Sequence, residues 1–147
     1  MTRTEKEEYV IGCISLLANK LTQFGDRILP DITFKQWFLL LMISKMELEE
    51  KNINNISEFV GTSRQNVKKM LKPLEEKGYV VIGKSAMDAR ALKVELTEKT
   101  YQYFRENEHA AEEETNKLFE SFSTAEIDSL AADLDKLMQC LSDGGKL

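Results

Sequence analysis

The stretch that decides the fold of this chain is ISEFVGTSRQNVKKML, residues 56–71. Residues 55–58 offer a helix cap, and the first short helix is expected to end at Gly61, because glycine readily adopts the left-handed conformation of a C-cap. Residues 62–65 form a capping-box pattern that begins a second helix, which is expected to stop at Gly78. The sequence therefore predicts two helices joined by a tight turn.

Two β-rich runs follow this helix pair. Residues 79–82 and 92–96 are rich in valine, isoleucine and leucine, and the charged segment 83–90 separates them. The simplest assembly is a two-stranded hairpin with an exposed loop. Helix, tight turn, helix and hairpin is the order of a winged helix-turn-helix.

The second helix of this motif carries side chains suited to nucleic acid. Arginine can donate two hydrogen bonds to guanine, and glutamine or asparagine can pair with adenine. Lysine side chains contact the phosphates of the DNA backbone. The N-terminal end of a helix also attracts phosphates, because it carries the positive end of the helix dipole. Val67, Leu71 and Leu74 fall at core-facing spacing, so the polar face is expected to point outward, although an ordinary solvated face is the alternative. The predicted contacts to double-stranded DNA are Thr62, Ser63, Arg64, Gln65, Asn66, Lys68, Lys69 and Lys72.

The charge distribution agrees with this placement. The 147 residues suffice for one compact domain, or for a small domain with a dimerisation extension. Their net charge of -5 argues by itself against a polyanionic partner. By segment, however, the charge is -2 over residues 1–50, +4 over residues 51–100 and -7 over residues 101–147. The basic segment coincides with the helix pair and the hairpin.

Helices are predicted on the N-terminal side of the motif. From Tyr9 to Ile28, apolar residues recur at alternating spacings of four and three, which is typical of an amphipathic helix, and Pro30 marks its boundary. Residues 33–36 form a second capping box. The apolar run 37–43 covers nearly every face of the helix that follows, so this helix is expected to be buried between other elements.

Two further helices are predicted towards the C-terminus. Thr97 is a plausible cap for a long helix that reaches roughly Glu120, and residues 123–126 form another capping box. The last helix precedes Gly144 and Gly145 and carries leucines at coiled-coil-like spacing. We interpret its apolar stripe as a partner-seeking surface, with packing inside the chain as the alternative. The stripe consists of Ile127, Leu130, Leu134, Leu137 and Leu141.

Several protein classes are excluded by composition. The longest apolar run has seven residues, against about eighteen for a membrane span. The acidic N-terminus is unlike a signal or transit peptide, so a cytoplasmic location is expected. Two cysteines and the single His109 cannot supply an ordinary metal cage, and no metal or cofactor is expected. No spacing suggests a nucleophile with its base, and no glycine-rich phosphate loop occurs, so an enzyme is not expected.

Four segments in order resemble the signatures of the MarR family of transcriptional regulators. They are ISEFVG (56–61), LEEKGYV (74–80), DAR (88–90) and LTEK (96–99). The resemblance covers essentially the whole chain and implies a homodimer in which helices from both termini interleave and hold two winged helices over a pseudo-palindromic operator.

That resemblance divides the chain into three parts. Residues 1–31 would be an N-terminal dimerisation helix, residues 32–100 the winged helix-turn-helix domain, and residues 101–147 the C-terminal dimerisation helices. On the first helix, the implied dimer contacts are Val10, Ile14 and Leu17.

The resemblance also implies roles in DNA binding. Residues 63–72 would enter the major groove, and Arg90 at the wing would probe the minor groove or its phosphates. Asp88 would brace the wing by pairing with an arginine. Lys84 is the only basic residue in the first half of the wing, where many relatives have several. Pro73 lies inside the second helix of the motif, which we call the reading helix, and a kink is expected there.

The regulatory input is left open between two hypotheses. The resemblance implies a small, often aromatic or phenolic effector near Phe34, Trp37 and Phe38, although plain core packing is the alternative for these rings. Cys13 and Cys140 lie at the edges of the first and last helical stripes, and an interleaved dimer would bring them together for redox sensing. An apolar setting makes a thiol inert, which weighs against that second hypothesis.

A rival function also stays open, because winged helices serve as protein-docking or RNA-facing adaptor modules as well. A DNA reader should lose affinity steeply as the salt concentration rises and should prefer particular operators, whereas a docking module should show neither behaviour.

Overall fold

The computed structural model describes residues 1–144 and contains, within them, six helices and one two-stranded antiparallel sheet. In chain order these elements are α1 (Arg3–Ile28), α2 (Phe34–Lys45), α3 (Ile53–Val60), α4 (Arg64–Glu76), β1 (Val80–Lys84), β2 (Leu92–Leu96), α5 (Glu98–Leu118) and α6 (Thr124–Gly144). The predicted fold class, mostly α with a small two-stranded β wing, is confirmed. Gly144, expected to follow the last helix, is instead the last residue of α6, and Gly145 lies outside the described residues.

The chain divides into two compact units. The first is Met1–Ala111 and holds α1 to β2 with the first part of α5. The second begins at Glu112 and contains α6, which starts at the predicted capping box. There the Ser123 backbone N–H donates to Glu126 Oε2 over 2.8 Å, and the Glu126 N–H donates to Ser123 Oγ over 3.3 Å. This reciprocal pair satisfies two of the unpaired donors at the start of α6.

The core of the first unit surrounds α2. Leu39, Leu40 and Ile43 have no exposed surface, and α2 contacts α1, α3, α4 and β2. The prediction that nearly every face of this helix is buried was wrong in one respect, because Phe38 is 40% exposed. The sequence run is apolar all round, but the neighbouring elements do not cover the face that bears Phe38.

The first helix begins earlier than its apolar stripe. The sequence predicted a helix from Tyr9, whereas α1 starts at Arg3 behind a capping box in which Thr2 and Glu5 each accept a hydrogen bond from the other's backbone N–H. This first turn is polar, so apolar periodicity could not find it. The predicted boundary at Pro30 is confirmed, since α1 ends at Ile28.

The caps of α3 and α4 differ from the predicted ones. Asn52 caps α3, while Asn55 occupies the third helical position and accepts from the Asn52 N–H. At α4, the Asn66 N–H donates to Ser63 Oγ over 3.1 Å, so Ser63 and not Thr62 is the cap. The intervening Gly61 has φ 75° and ends α3 in the left-handed conformation, as predicted.

The strands of the wing pair in the register Val80↔Leu96 to Lys84↔Leu92. β1 thus starts one residue later than predicted. α5 ends at Leu118, close to the predicted end near Glu120. The Thr97 hydroxyl donates to the carbonyls of Gly78 and Tyr79, and its backbone carbonyl accepts from the Tyr101 N–H in the first turn of α5. These bonds join the end of α4 and the base of the wing to the start of α5.

Two contacts fix the C-terminal end of α1 against the start of α2. The Phe34 N–H donates to Asp26 Oδ1 over 2.7 Å, beside the predicted capping box of Thr33 and Gln36. Gly25 is buried against the Phe34 side chain. A Cβ added at Gly25 would lie 2.2 Å from the Phe34 ring, so only glycine allows the two helices to approach this closely. Among residues 1–144, no helix has the length and apolar character needed to cross a membrane.

Gly25→Ala is expected to lower the free energy of unfolding by about 1–3 kcal/mol, because the added methyl overpacks a rigid contact. The matched control is Gly83→Ala, where nothing lies within 4 Å of the added Cβ. Denaturant unfolding of both variants measures the difference. Equal stability of the two variants would contradict the close approach of α1 and α2.

Candidate nucleic-acid interface

The second helix of the turn, α4, has one buried face and one polar face. Val67, Leu71 and Leu74 have no exposed surface and pack into the core. The opposite face is exposed, and its side chains are those expected to read DNA. They are Ser63 at the cap, followed by Arg64, Gln65, Asn66, Lys68, Lys69 and Lys72. The helix continues through Pro73 to Glu76, so all of these residues lie on a single helical segment.

The start of α4 holds two of these side chains in place. Asn66 Nδ2 donates to Thr62 Oγ1 over 2.9 Å, and Arg64 Nη1 approaches Asn54 Oδ1 at 3.4 Å. In the described part of the chain, Lys68, Lys69 and Lys72 form no ion pair with a carboxylate. Their positive charges are therefore not neutralised and are available to an anionic partner.

The loop of the wing is a braced turn. Ser85 Oγ accepts from the backbone N–H groups of Met87 and Asp88 over 3.1 and 2.9 Å. Asp88 Oδ1 in turn accepts from the Arg90 backbone N–H over 2.9 Å, and the Ser85 N–H donates to the Ala91 carbonyl over 3.1 Å. Asp88 thus contacts the main chain of Arg90, and among the described residues it forms no ion pair with a guanidinium. The Arg90 side chain is exposed.

The reading helix and the wing form one cleft. Its volume is about 290 Å³, and it brings together three of the predicted cations, Arg64, Lys68 and Arg90. Lys84 lies outside this lining, at the end of β1. The full lining is Asn52, Ile53, Asn54, Arg64, Lys68, Asp88, Arg90, Ala91 and Leu92. A concave surface with three cations suits a backbone phosphate.

Asn52 and Asn54 are site residues that the sequence reasoning missed. Asn52 is the cap of α3 and also forms a β-bridge with Lys93, while the Val94 N–H donates to the Lys51 carbonyl over 2.7 Å. These contacts attach the start of α3 to the base of the wing. The asparagine-rich run NINN (52–55) could have indicated the start of α3 at this point, since asparagine is a preferred helix cap.

A second cleft lies between α2 and α5 within the first unit. Its volume is about 500 Å³ and its lining is mainly apolar and aromatic, with Lys45 and Arg105 as cations and Glu108 as an acid. The lining comprises Leu29, Trp37, Leu41, Ser44, Lys45, Tyr101, Phe104, Arg105, Asn107, Glu108 and Ala111. Arg105 Nη2 also pairs with Glu98 Oε1 at 2.7 Å. We call this cavity the α2–α5 cleft.

Only one of the three predicted effector residues lines the α2–α5 cleft. Trp37 does, whereas Phe34 packs on Gly25 and lies with its ring centroid 5.6 Å from that of Trp37. Phe38 stacks on Phe34 at 6.3 Å and is partly exposed. The aromatic rings that sequence reasoning missed are Tyr101 and Phe104, which lie on α5, far from Trp37 in sequence.

Apolar stripes on α1 and α6 face outward in the single chain. On α1, Val10 and Leu17 are exposed and Ile14 is half-buried. On α6, Leu137 is half-buried and the other four stripe residues are exposed. These four are Ile127, Leu130, Leu134 and Leu141.

Neither cysteine forms a disulfide. Cys13 is half-buried on α1 and Cys140 is exposed on α6. A hydrogen bond between the Tyr9 hydroxyl and Cys13 raises the pKa of Tyr9. Within residues 1–144, no three histidine, cysteine or acidic side chains are grouped so that they could hold a metal ion.

Comparisons with known proteins agree with the helix pair and wing. Residues 31–91 match the family model of the MarR family. Transcriptional repressor MprA of Escherichia coli strain K12 is 26% identical over 127 residues, which cover 85% of this chain and 72% of MprA.

Solved structures share the fold over most of the chain. A MarR/EmrR family transcriptional regulator from Acinetobacter sp. ADP1 has a TM-score of 0.77 and 26% identity, with 93% of this chain and 97% of that chain covered. The MepR–DNA complex of S. aureus has a TM-score of 0.77 and 21% identity, with 88% and 95% covered. At that lower identity the likeness is one of fold.

Proposed function

Since the chain is a MarR-family winged-helix transcriptional regulator, we propose that it acts in the cytoplasm as a homodimeric repressor on a pseudo-palindromic operator. In each subunit α4 enters the major groove, and Arg90 on the wing contacts the adjacent minor groove or its phosphates. A small aromatic or phenolic effector releases the DNA. No catalytic step is part of this function.

The cleft that α4 and the wing form together supports DNA binding most directly. Arg64 and Lys68 come from the reading helix and Arg90 comes from the wing, and all three line one concave surface. The core-facing side of α4 is completely buried, so its polar face has no orientation other than outward. A reading helix beside a cationic wing suits a DNA groove and its flanking phosphate backbone.

The homodimer is supported by the exposed stripes of α1 and α6. Leucine, isoleucine and valine side chains at these positions would remain in water in a single chain. Contiguous exposed apolar surface of this kind marks a protein interface. Repression is supported by the likeness to MprA, which is a transcriptional repressor.

The effector site that the geometry favours is the α2–α5 cleft. Trp37, Tyr101 and Phe104 offer aromatic faces, and Lys45 and Arg105 offer positive charge for an acidic or phenolic group. Apolar walls with a few convergent polar groups are typical of small-molecule sites. This assignment replaces Phe34 and Phe38 by Tyr101 and Phe104 as the effector contacts.

Arg64→Ala and Arg90→Ala are each expected to weaken operator binding by about 1–3 kcal/mol, because each removes a cation from the interface. The control is Arg3→Ala, which removes the same charge from an exposed position near the N-terminus. Gel-shift titration against a fragment selected by the wild-type protein measures the affinities. Unchanged affinity of both variants, or wild-type binding that is insensitive to salt, would favour a docking module instead.

Leu134→Asp is expected to dissociate the dimer, because a carboxylate would be buried in an apolar interface. Ala132→Asp is the control, since Ala132 is exposed and lies on the opposite face of α6. Sedimentation equilibrium gives the mass of each variant. A Leu134→Asp chain that still sediments as a dimer would contradict the assignment of this stripe.

Trp37 is the only tryptophan of the chain, so its fluorescence should report on ligands in the α2–α5 cleft. We expect at least one member of a panel of small phenols and aromatic carboxylates to quench it saturably and to release the operator. Phe104→Ala should weaken that binding, whereas Phe59→Ala, at an exposed position outside this cleft, should not. If no compound of the panel quenched saturably, the effector proposal would be wrong.

A further inference from the structure

The short loop between α1 and α2 is attached to the end of the reading helix. Asp31 Oδ2 accepts a hydrogen bond from the Tyr79 hydroxyl over 2.5 Å. Lys77 Nζ lies 3.2 Å from Asp31 Oδ1 and also donates to the Asp31 backbone carbonyl. Lys77 is the C-cap of α4 and Tyr79 directly precedes β1, so a single aspartate contacts the segment that joins the reading helix to the wing.

The backbone of Asp31 is in an unusual conformation. Its φ is 66°, and it is the only non-glycine residue with positive φ among residues 1–144. Such a conformation persists only where the surroundings impose it. At Asp31 it allows both the carboxylate and the carbonyl to reach Lys77. Hydrogen bonding from Tyr79, and then from Lys77, lowers the pKa of Asp31, so the contact involves a carboxylate.

The start of α5 completes the same junction. Lys99 Nζ donates to the Lys77 carbonyl and lies 4.4 Å from the centre of the Tyr79 ring. The Tyr103 hydroxyl donates to the Pro30 carbonyl over 2.8 Å, and the Tyr79 and Tyr103 rings meet edge to face at 5.7 Å. Three segments that are far apart in sequence are thereby held together by directional contacts.

A contribution to folding stability does not explain the contacts of Asp31. The side chains of Lys77 and Asp31 are 41% and 49% exposed, and ion pairs this exposed contribute little to folding. A left-handed aspartate is itself unfavourable. The contacts instead tie together the C-terminal ends of two helices, because α1 ends at Ile28, shortly before Asp31, and α4 ends at Glu76, directly before Lys77.

We propose that Asp31 is a positioning residue that sets the angle between α1 and the reading helix, and thereby the half-site spacing that the dimer accepts. The inference rests on the proposed function, in which α1 belongs to the dimer interface. With 26 residues, α1 is about 39 Å long. A tilt of about 5° at Asp31 would move its far end by about 3 Å, close to one base-pair step.

The test uses operator duplexes with identical half-sites whose centres are one base pair closer, at the selected distance, or one base pair further apart. We expect wild-type protein to prefer the selected spacing. Asp31→Gly, which accommodates the left-handed backbone without strain but removes the carboxylate, should reduce that preference by about fivefold or more. Tyr79→Phe should do the same, because it removes only the hydroxyl, whereas Asp31→Asn keeps an acceptor and should retain most of the preference.

Glu98→Ala is the matched control, since it removes another exposed ion pair, with Arg105, at the start of α5. Thermal unfolding and sedimentation establish that each variant is folded and dimeric before the spacing series is measured. Folded Asp31→Gly and Tyr79→Phe dimers that keep the wild-type preference would overturn the role of Asp31 alone. A wild-type protein that binds none of the duplexes would overturn the proposed function as well.

Discussion

Burial of one face of α4 is the constraint on which the rest of the site depends. Val67, Leu71 and Leu74 are completely enclosed in the core with Leu39 and Leu40 of α2. Each such side chain contributes about 1.5–3 kcal/mol through burial, more than helix propensities of below about 1 kcal/mol can offset. The rotation of α4 about its axis is therefore fixed by packing. Its cations face outward because the helical period leaves them no other side.

The same constraint explains how an acidic protein can present a basic surface. The net charge is -5, yet residues 51–100 carry +4, and three cations of this segment line the cleft between α4 and the wing. Long-range attraction to DNA is expected to be weak, because the acidic remainder repels phosphates and salt screens distant charges. Binding then depends on short-range contacts between the protein and its DNA site. The contacts that fix the direction of α4, and those that brace the wing, are therefore important for binding.

Local signals predicted much of this architecture. Gly61, the capping box at Thr33 and the apolar period of α4 each act over a few residues, and each is present as expected. The features that were missed depend on residues distant in sequence. Asp31 meets Lys77 and Tyr79 across 46 and 48 positions, and the α2–α5 cleft joins Trp37 to rings on α5. Neither the spacing nor the composition of the sequence predicts these long-range contacts, because they form only when the helices pack together.

The proposed function requires the chain to recognise a specific DNA sequence through a symmetric pair of reading helices. Sequencing the DNA fragments that the purified protein retains from its own genome tests it most directly. We expect enrichment of inverted half-sites whose centres lie about one helical turn apart. Retention of fragments without any shared sequence, or of none at all, would contradict it.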